Sequence, residues 1–275
     1  MARIRLLVAD VDGTLVTQDK VLTEAAKAAA RDLRTHGVRL AITSGRPPRG
    51  MRMLIEPLAL DGAIAGFNGG VFANPDLSVI SSRTLEPEAA RQAVRMIREH
   101  GMDAWLYTEE EWLIRDRRAP HVAREAWTVK FDARVVPEFT DADLVHAVKI
   151  VGVSDDHGLV ARCEQELQQA LGKAASAARS QPYYLDVTHP QANKGEVVRT
   201  LSHMLDIPRE EIATIGDMPN DVLMFRESGF SIAMGNASDD VKSQASATTS
   251  SSEEEGFARA VRELILPRAG LEGGA

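Results

Sequence analysis

The segment Ile4-Arg-Leu-Leu-Val-Ala-Asp10-Val-Asp-Gly-Thr-Leu15 decides the fold. Its first part is an apolar run that only Arg5 interrupts, and its second part is acidic and contains glycine. A short, nearly continuous apolar run is typical of a parallel strand that is buried on both faces. We therefore predict a central strand of a parallel sheet here, with Asp10 and Asp12 at its carboxyl end.

Helices and strands alternate on both sides of a central insert. After the first strand, residues 23–36 have a helical pattern that ends at Gly37, and residues 38–43 form another apolar run. Towards the C-terminus, a helical pattern at 195–205 precedes an apolar run at 212–215. This alternation predicts a doubly wound α/β sheet.

The pattern changes between Thr84 and Tyr184. Several strand-like segments follow one another there with helices between them, which is typical of an α+β unit. Every Trp and Tyr of the chain falls in this region: Trp105, Tyr107, Trp112, Trp127, Tyr183 and Tyr184. We predict an α+β domain at 84–184 that is inserted into a core domain of residues 1–83 and 185–275.

The amino-acid composition and charge of the chain exclude several classes of binding partner. The chain has 32 Lys and Arg against 40 Asp and Glu, a formal net charge of −8, which disfavours nucleic-acid backbones and anionic membranes. The apolar runs are shorter than the about 20 residues that cross a membrane, and the N-terminus shows no secretory signal. The single cysteine, Cys163, cannot form an intrachain disulfide, which suits a reducing compartment. We expect a cytoplasmic monomer or homodimer with no nucleic-acid or membrane partner.

Two acidic residues follow the first strand. Residues two apart in a strand point to the same side, so Asp10 and Asp12 can face one site. Ligands of open α/β sheets bind beyond the carboxyl ends of strands, and Gly13 permits a sharp turn there. Neighbouring carboxylates repel each other and Mg²⁺ prefers oxygen ligands, so a magnesium site is one interpretation. The alternative is a turn whose acidic side chains are solvated.

A hydroxyl-rich segment follows the second apolar run. Thr43 and Ser44 offer hydroxyl groups, and Gly45 lets the backbone approach a ligand closely. Together with free backbone N–H groups, these side chains suit a phosphate oxygen. The alternative is that Ser44 caps a helix that begins near Arg46.

A third strand end carries further candidate ligands. Asp217, Asn220 and Asp221 place oxygen-bearing side chains after the apolar run at 212–215. Because the strand ends of one parallel sheet converge, we expect these side chains near Asp10. Asn220 could instead cap the helix that follows it.

A lysine stands at the predicted start of the helix that follows the insert. Helix N-termini favour acidic side chains, so Lys194 is placed against the local electrostatic preference. This placement indicates an anionic partner. The alternative is a solvated lysine.

The order of these segments resembles the four motifs of the haloacid dehalogenase (HAD) superfamily of phosphatases. Asp10-Val-Asp-Gly-Thr-Leu15 is similar to motif one, Ser44 to motif two, Lys194 to motif three and Gly216–Asp221 to motif four. The insert resembles the type IIB cap of the Cof-like subfamily. Met218-Pro219 departs from the pattern, because small polar residues or glycine are frequent there. The resemblance implies a Rossmann-like core with an inserted cap.

The resemblance also implies an activity, the hydrolysis of a small phosphorylated metabolite such as a sugar phosphate. Asp10 would attack phosphorus and form an aspartyl phosphate, while Asp12 would protonate the leaving alcohol and then deprotonate water. Residues that would hold Mg²⁺ are Asp10, Asp12, Asp217, Asn220 and Asp221. Residues that would contact phosphate or substrate are Thr43, Ser44, Gly45, Arg46, Asn68 and Lys194, with Thr43 and Ser44 both open as the motif-two hydroxyl.

Other functions are compatible with parts of this pattern. A phosphotransferase or phosphomutase of the same fold would pass on the phosphoryl group, so release of inorganic phosphate distinguishes it from a phosphatase. A non-catalytic phosphate-sensing protein normally lacks a motif acid, whereas Asp10, Asp12 and Asp217 are all present. A receiver-like signalling domain also has an aspartate pocket, but it needs neither the insert nor a leaving-group acid.

Overall fold

The computed structural model describes residues 3–270, which form two β-sheets with helices around them. The strands are β1 (Leu6–Asp10), β2 (Arg39–Thr43), β3 (Ile64–Gly66), β4 (Val71–Ala73), β5 (Val79–Ser82), β6 (Asp103–Tyr107), β7 (Trp112–Ile114), β8 (Arg134–Val135), β9 (Lys149–Val153), β10 (Ser176–Gln181), β11 (Tyr184–Thr188), β12 (Ile212–Gly216), β13 (Phe230–Ala233) and β14 (Ala247–Thr248). The α-helices are α1 (Glu24–Thr35), α2 (Arg52–Ile55), α3 (Pro87–Glu99), α4 (Val122–Val129), α5 (Asp141–Val145), α6 (His157–Leu171), α7 (Lys194–Leu205), α8 (Val222–Glu227), α9 (Asp239–Lys242) and α10 (Gly256–Ala260).

The larger sheet has the strand order β14-β13-β12-β1-β2-β3-β4-β5 and is parallel from β14 to β3. Leu7 and Ala9 of β1 pack on one face with α1 and α10. Leu6 and Val8 pack on the other face with α7 and α8. Burial on both faces explains why the apolar run of β1 is continuous rather than alternating. The predicted doubly wound α/β sheet is confirmed.

The central strands bring the acidic segments to one edge of this sheet. Asp10 is the last residue of β1 and lies opposite Thr43, the last residue of β2. Gly13 turns the chain sharply, with φ at +80°. On the other side of β1, the paired strand β12 ends at Gly216, immediately before Asp217. Motifs that are far apart in sequence therefore meet at neighbouring strand ends.

The smaller sheet has the order β10-β11-β9-β6-β7-β8, and its neighbouring strands are antiparallel except for β7 and β8. Helices α3 and α6 pack on one face. The other face carries a cluster with Trp105, Tyr107 and Trp112, all buried, in which the two indole rings meet edge to face at 5.2 Å between centroids. Trp127 differs, because it is exposed. The face covered by the two helices therefore has an apolar core of its own, whereas the aromatic cluster also includes Phe67 and Val71 from the part of the chain that forms the larger sheet.

The last strand of the smaller sheet extends past the end predicted for the insert. β11 continues to Thr188 and pairs with β9 and β10 along its length. Residues 185–188 thus belong to this sheet, although the predicted insert ends at Tyr184. The chain then enters α7, where Asn193 caps the helix by accepting from the backbone N–H of Glu196.

The helices are short or moderate in length. Among residues 3–270, none is both long and apolar enough to cross a membrane. Helices α4 and α5 have no counterpart in the sequence prediction. His121 and Lys130 flank α4 and both have positive φ, so the glycine that commonly signals a helix end is missing there.

Candidate active site

A cluster of three carboxylates lies at the ends of β1 and β12. Asp10, Asp217 and Asp221 each offer a carboxylate oxygen, and these oxygens lie within 4.8 Å of one another. Lys194, the first residue of α7, donates to Asp10 Oδ1 at 2.6 Å and to Asp221 Oδ1 at 2.5 Å. All four residues are buried, so the ammonium group is part of the cluster and is not solvated.

The charges in this cluster do not balance. Burial, and then repulsion from Asp221 and Asp217, raises the pKa of Asp10 to about 8, although Lys194 opposes the change. Burial and Asp221 also raise the pKa of Asp217 to about 6. Burial by itself lowers the pKa of Lys194, but its contacts with Asp10 and Asp221 raise it above the usual value. The lysine stays charged and an excess of negative charge is left, which favours a bound cation.

Two oxygens of the cluster are available to a ligand. Asp10 Oδ2 and Asp217 Oδ1 are buried and lack a hydrogen-bond partner among the residues that the structure describes. Buried polar atoms are normally paired, so unpaired oxygens at a strand end indicate a missing ligand. A donor set made of carboxylates suits a hard cation, of which Mg²⁺ is one. The residues present therefore fit a metal ion.

The carboxylates of Asp217 and Asp221, which follow β12, are held in place by hydrogen bonds from neighbouring groups. Asp221 Oδ2 accepts from the backbone N–H of Asp217 at 2.9 Å and from that of Met218 at 2.8 Å. Asn236 donates to Asp217 Oδ2 at 2.9 Å and to the carbonyl oxygen of Gly13 at 3.0 Å. The sequence reasoning missed Asn236. Its place just after the carboxyl end of β13 is the same signal that identified the other site residues.

Asp12 lies outside the carboxylate cluster and is paired with cations. Arg46 donates to it through two nitrogens, at 2.8 Å to Oδ2 and 2.6 Å to Oδ1. Lys20 Nζ lies 2.7 Å from Asp12 Oδ1. Burial raises the pKa of Asp12, but the contacts with Arg46 and Lys20 outweigh burial and hold it below its usual value. Arg46 therefore contacts a carboxylate here, where the sequence predicted a contact with substrate.

The segment after β2 forms a tight turn. Ser44 Oγ accepts from the backbone N–H of Arg46 at 3.1 Å, so the serine closes a turn and does not cap a helix. The backbone N–H of Asn68 donates to the carbonyl oxygen of Ser44 at 2.7 Å. Ser44, Gly45 and Asn68 line a cavity, whereas Thr43 is buried and is not part of the cavity lining.

The cavity lies between the two sheets and has a volume of about 440 Å³. A second cavity of about 580 Å³ shares part of its wall. From the core, Asp12 and Ser44 line both cavities, and from the smaller sheet Lys149 and Asp186 do so. Glu125 of α4 lines the second cavity. The sequence analysis did not predict a role for Lys149, Asp186 or Glu125.

The structure brings the predicted residues to one place. Those that line the first cavity are Asp10, Asp12, Ser44, Gly45, Asn68, Lys194 and Asn220. Asp217 and Asp221 are within the carboxylate cluster, and Arg46 lines the second cavity. Asn220 is exposed, and it does not cap α8, because Asp221 occupies the N-cap position of that helix and no side chain caps it. The roles of these residues stay predictions.

The protein is an α/β protein with a doubly wound sheet, acidic residues at the strand ends and a second sheet inserted into the first. The model of haloacid dehalogenase-like hydrolases matches residues 7–261. The chain therefore belongs to the haloacid dehalogenase-like hydrolase family, and the predicted superfamily and enzyme class are confirmed.

Individual relatives agree with this assignment. A putative phosphatase of Bacillus subtilis is 28% identical over 276 residues, which cover 96% of this chain and 99% of that protein. A haloacid dehalogenase-like hydrolase from Bacteroides thetaiotaomicron has a TM-score of 0.87 at 28% identity and covers 95% of this chain and 100% of its own. A HAD subclass IIB sugar phosphatase has a TM-score of 0.80, with coverage of 95% and 99%. At its 20% identity, that likeness shows the fold alone.

Proposed function

We propose that the enzyme is a Mg²⁺-dependent phosphatase that hydrolyses monoesters of small phosphorylated metabolites. One observation carries the proposal: Lys194 bridges Asp10 and Asp221 at the carboxyl ends of adjacent strands, beside Asp217 and the cavity. A site with one lysine and three carboxylates can bind a dianionic phosphoryl group once a divalent cation adds further positive charge.

In the first step, an Asp10 oxygen attacks phosphorus. The new oxygen–phosphorus bond forms as the bond from phosphorus to the ester oxygen breaks, which gives an aspartyl phosphate and an alcohol. Oδ2 is the carboxylate oxygen that Lys194 leaves free, since the lysine donates to Oδ1. Asp12 supplies the proton that the departing ester oxygen takes up.

In the second step, Asp12 acts as a base. It removes a proton from water, the water oxygen attacks phosphorus, and the acyl phosphate bond breaks to give inorganic phosphate and free Asp10. Arg46 and Lys20 hold the pKa of Asp12 low, so its carboxylate is ionised and ready to accept this proton. The same low pKa limits the first step, which needs Asp12 in its protonated form.

Asp10, Asp217 and Asp221 would hold the metal ion, with the backbone of Asp12 and the side chain of Asn220 as further ligands that the family resemblance implies. When bound, Mg²⁺ supplies positive charge to the phosphoryl oxygens. Further contacts to the phosphoryl group would come from Ser44, Lys194 and the backbone around Gly45, while Arg46 and Asn68 position groups in the site.

We further propose that the chain divides into a core of residues 1–83 and 189–275 and a cap of residues 84–188. The placement of β11 in the smaller sheet supports the later boundary. Because the cavities lie between the two sheets, the cap would cover the reaction centre, exclude water and contact the leaving group.

A panel of phosphorylated metabolites, assayed for phosphate release with and without MgCl₂, tests the proposal. We expect release that needs the metal, and loss of at least about 10³-fold in Asp10→Asn, because the nucleophile is gone. Asp61→Asn is the matched control, since Asp61 is an exposed residue away from the cavities. Acid-quenched enzyme should carry labelled phosphate on Asp10. Normal turnover by Asp10→Asn, or transfer of the phosphoryl group without phosphate release, would overturn the proposal.

A further inference from the structure

The side-chain amide of Asn236, which follows β13, uses both of its N–H donors and its oxygen in hydrogen bonds. Its Nδ2 donates to Asp217 Oδ2 at 2.9 Å and to the carbonyl oxygen of Gly13 at 3.0 Å. Its Oδ1 accepts from the backbone N–H of Ser252 at 3.0 Å. An ionised carboxylate and a carbonyl oxygen only accept, and a backbone N–H only donates, so these partners fix the orientation of the amide. The position therefore needs a short side chain with two donors and one acceptor, which is asparagine.

The carboxylate of Asp217 depends on this amide for its orientation. Lys194 donates to Asp10 and Asp221, and Asp221 also accepts from two backbone N–H groups. Among residues 3–270, Asn236 alone donates to the carboxylate of Asp217, and it does so at Oδ2. The other oxygen, Oδ1, is buried and has no partner in that range. The amide thus holds one oxygen of Asp217 and leaves the other for a ligand.

The same amide joins the ends of three adjacent strands. Gly13 lies in the loop after β1, Asp217 follows β12, and Asn236 follows β13. These strands are neighbours in the order β13-β12-β1 of the larger sheet. One side chain therefore ties together the loops that carry the carboxylate cluster.

Ser252, the donor to the amide oxygen, lies in a segment that is fixed on two sides. It is the first residue of a 3₁₀ turn that a reciprocal capping box closes. Within this turn, Glu253 accepts from the backbone N–H of Gln18 at 2.7 Å, so the turn is tied to the chain that follows β1. On the other side, Gly235 donates its backbone N–H to the carbonyl oxygen of Ser250 at 2.9 Å. The N–H of Ser252 is therefore a fixed anchor for the amide.

We propose that Asn236 is a positioning residue of the metal site, which holds Asp217 by Oδ2 so that Oδ1 is free to bind Mg²⁺, and that the backbone of Ser252 holds Asn236 in turn. The inference rests on the proposed Mg²⁺-dependent function. Without the amide, repulsion from Asp221 favours rotation of the Asp217 carboxylate out of the cluster. The ion would then bind more weakly, because the ligand must first return to its place.

Calorimetric titration of the metal-free enzyme with MgCl₂ tests the proposal in two variants. Asn236→Ala removes both donors and the acceptor, and Asn236→Leu removes them but nearly keeps the size of the side chain. Each should raise the Kd for Mg²⁺ by about tenfold or more, as loss of a group that orients a metal ligand does. Asn236 is exposed, so the variants should fold, and urea unfolding in EDTA measures their stability separately.

Thr249→Val is the matched control. Thr249 lies in the same C-terminal segment, where its hydroxyl donates to the carbonyl oxygen of Gly256 at 2.8 Å and not to the metal site. Valine keeps the shape of threonine but loses this bond, so the stability in EDTA should fall. The Kd for Mg²⁺ should stay within about twofold of the wild type, because this bond is independent of Asp217.

Ser252→Pro tests the anchor. The substitution removes the N–H that Asn236 accepts, and proline suits the first position of a helical turn after an extended residue, as Ser251 is with ψ at 163°. Because Asn236 keeps both donors, the Kd for Mg²⁺ should rise by about threefold, less than in Asn236→Ala. Ser252→Ala keeps the N–H and should bind as the wild type does. Equal affinity of Ser252→Pro and Ser252→Ala would overturn the anchoring by Ser252.

The outcomes distinguish this inference from the function on which it rests. If the wild-type enzyme neither binds Mg²⁺ nor needs it for turnover, the proposed metal dependence fails. If the wild type binds Mg²⁺ and both Asn236 variants bind it within about threefold as tightly, the inference alone is overturned. It is also overturned if Thr249→Val weakens binding as much as they do, since the effect would then come from lost stability of the segment.

Discussion

Gly13 lies so close to Asp217 that a β-carbon on the glycine would approach Asp217 Oδ2 to 2.5 Å. The backbone of Gly13 is also in the left-handed region, with φ at +80°. Both its conformation and its close approach therefore require glycine. Since Gly13 follows β1 and Asp217 follows the paired strand β12, the absence of a side chain at Gly13 lets the two acidic strand ends meet closely.

We predict that Gly13→Ala displaces Asp217 and weakens Mg²⁺ binding by about tenfold or more, as changes next to metal ligands do. Calorimetric titration of the folded variant with Mg²⁺ measures this. Gly101→Ala is the control, because Gly101 has φ at +73° but a β-carbon added there would meet no atom within 4 Å. It should lose about 1 kcal/mol of stability from backbone strain and keep its metal affinity. Equal losses of affinity in both variants would contradict the role of the close contact.

Magnesium should stabilise the folded enzyme. Two like charges about 4 Å apart cost about 4 kcal/mol at an effective dielectric of 20, before relaxation reduces the figure. A cation bound among Asp10, Asp217 and Asp221 removes this repulsion, so millimolar MgCl₂ should raise the melting temperature. The same ionic strength of NaCl is the control, and Asp217→Asn should lose most of the effect. Unchanged melting with MgCl₂, together with full turnover after chelation, would rule out a metal role for the cluster.

The core could be predicted because its signals are local in sequence. β1, β2 and β12 are short apolar runs, and each ends directly before a polar motif. Burial on both faces makes such runs recognisable without any tertiary information. Helix α4 could not be predicted in this way, because His121 and Lys130 take left-handed conformations that their residue types do not signal.

Only the site residues that lie in motifs at the ends of strands and helices could be predicted from the sequence. Lys194 and the carboxylates stand next to strand or helix ends, where ligands of α/β sheets are expected. Lys149 and Asp186 lie within strands, and their contact depends on the register of β9 against β11. No local pattern encodes that register, so their contribution to the cavity emerges only from the assembled sheet.

Metal-free enzyme should lose stability as the pH rises from about 4 to about 8. The pKa of Asp10 is raised from 3.8 to about 8 on folding, so the folded state holds this proton more tightly than the unfolded state. The contribution of this proton to the free energy of unfolding is complete below about pH 4, and it is lost as the pH rises and Asp10 ionises in the folded state. Urea unfolding in EDTA at several pH values between about 4 and about 8 measures the free energy of unfolding. The difference between the wild type and Asp10→Asn isolates the contribution of Asp10. Added Mg²⁺ should stabilise more at pH 8 than at pH 5. A wild-type stability that rises relative to Asp10→Asn over this range would show the opposite sign.

Asp12→Ala should damage the first chemical step more for an alkyl phosphate than for p-nitrophenyl phosphate. An alkoxide is a poor leaving group and needs a proton as it departs, whereas p-nitrophenolate leaves with little help. General acid assistance is worth about 10²–10⁴-fold, so the alkyl ester should lose about that factor and the aryl ester much less. Single-turnover release of the alcohol measures the first step alone, because the second step lacks its base with either substrate.

Asp12→Asn is the matched variant for this prediction. Its amide keeps the size of the carboxyl group and can still accept one of the two hydrogen bonds from Arg46 through its oxygen, but it cannot carry the transferred proton. If Asp12 acts through proton transfer, both variants lose the alkyl ester selectively. If Asp12 serves mainly to hold Arg46, whose two contacts to it are 2.6 and 2.8 Å long, both variants slow the two substrates equally, and Asp12→Asn keeps more activity than Asp12→Ala because it keeps one contact. The second pattern would remove Asp12 from the chemistry and leave it a positioning residue for Arg46.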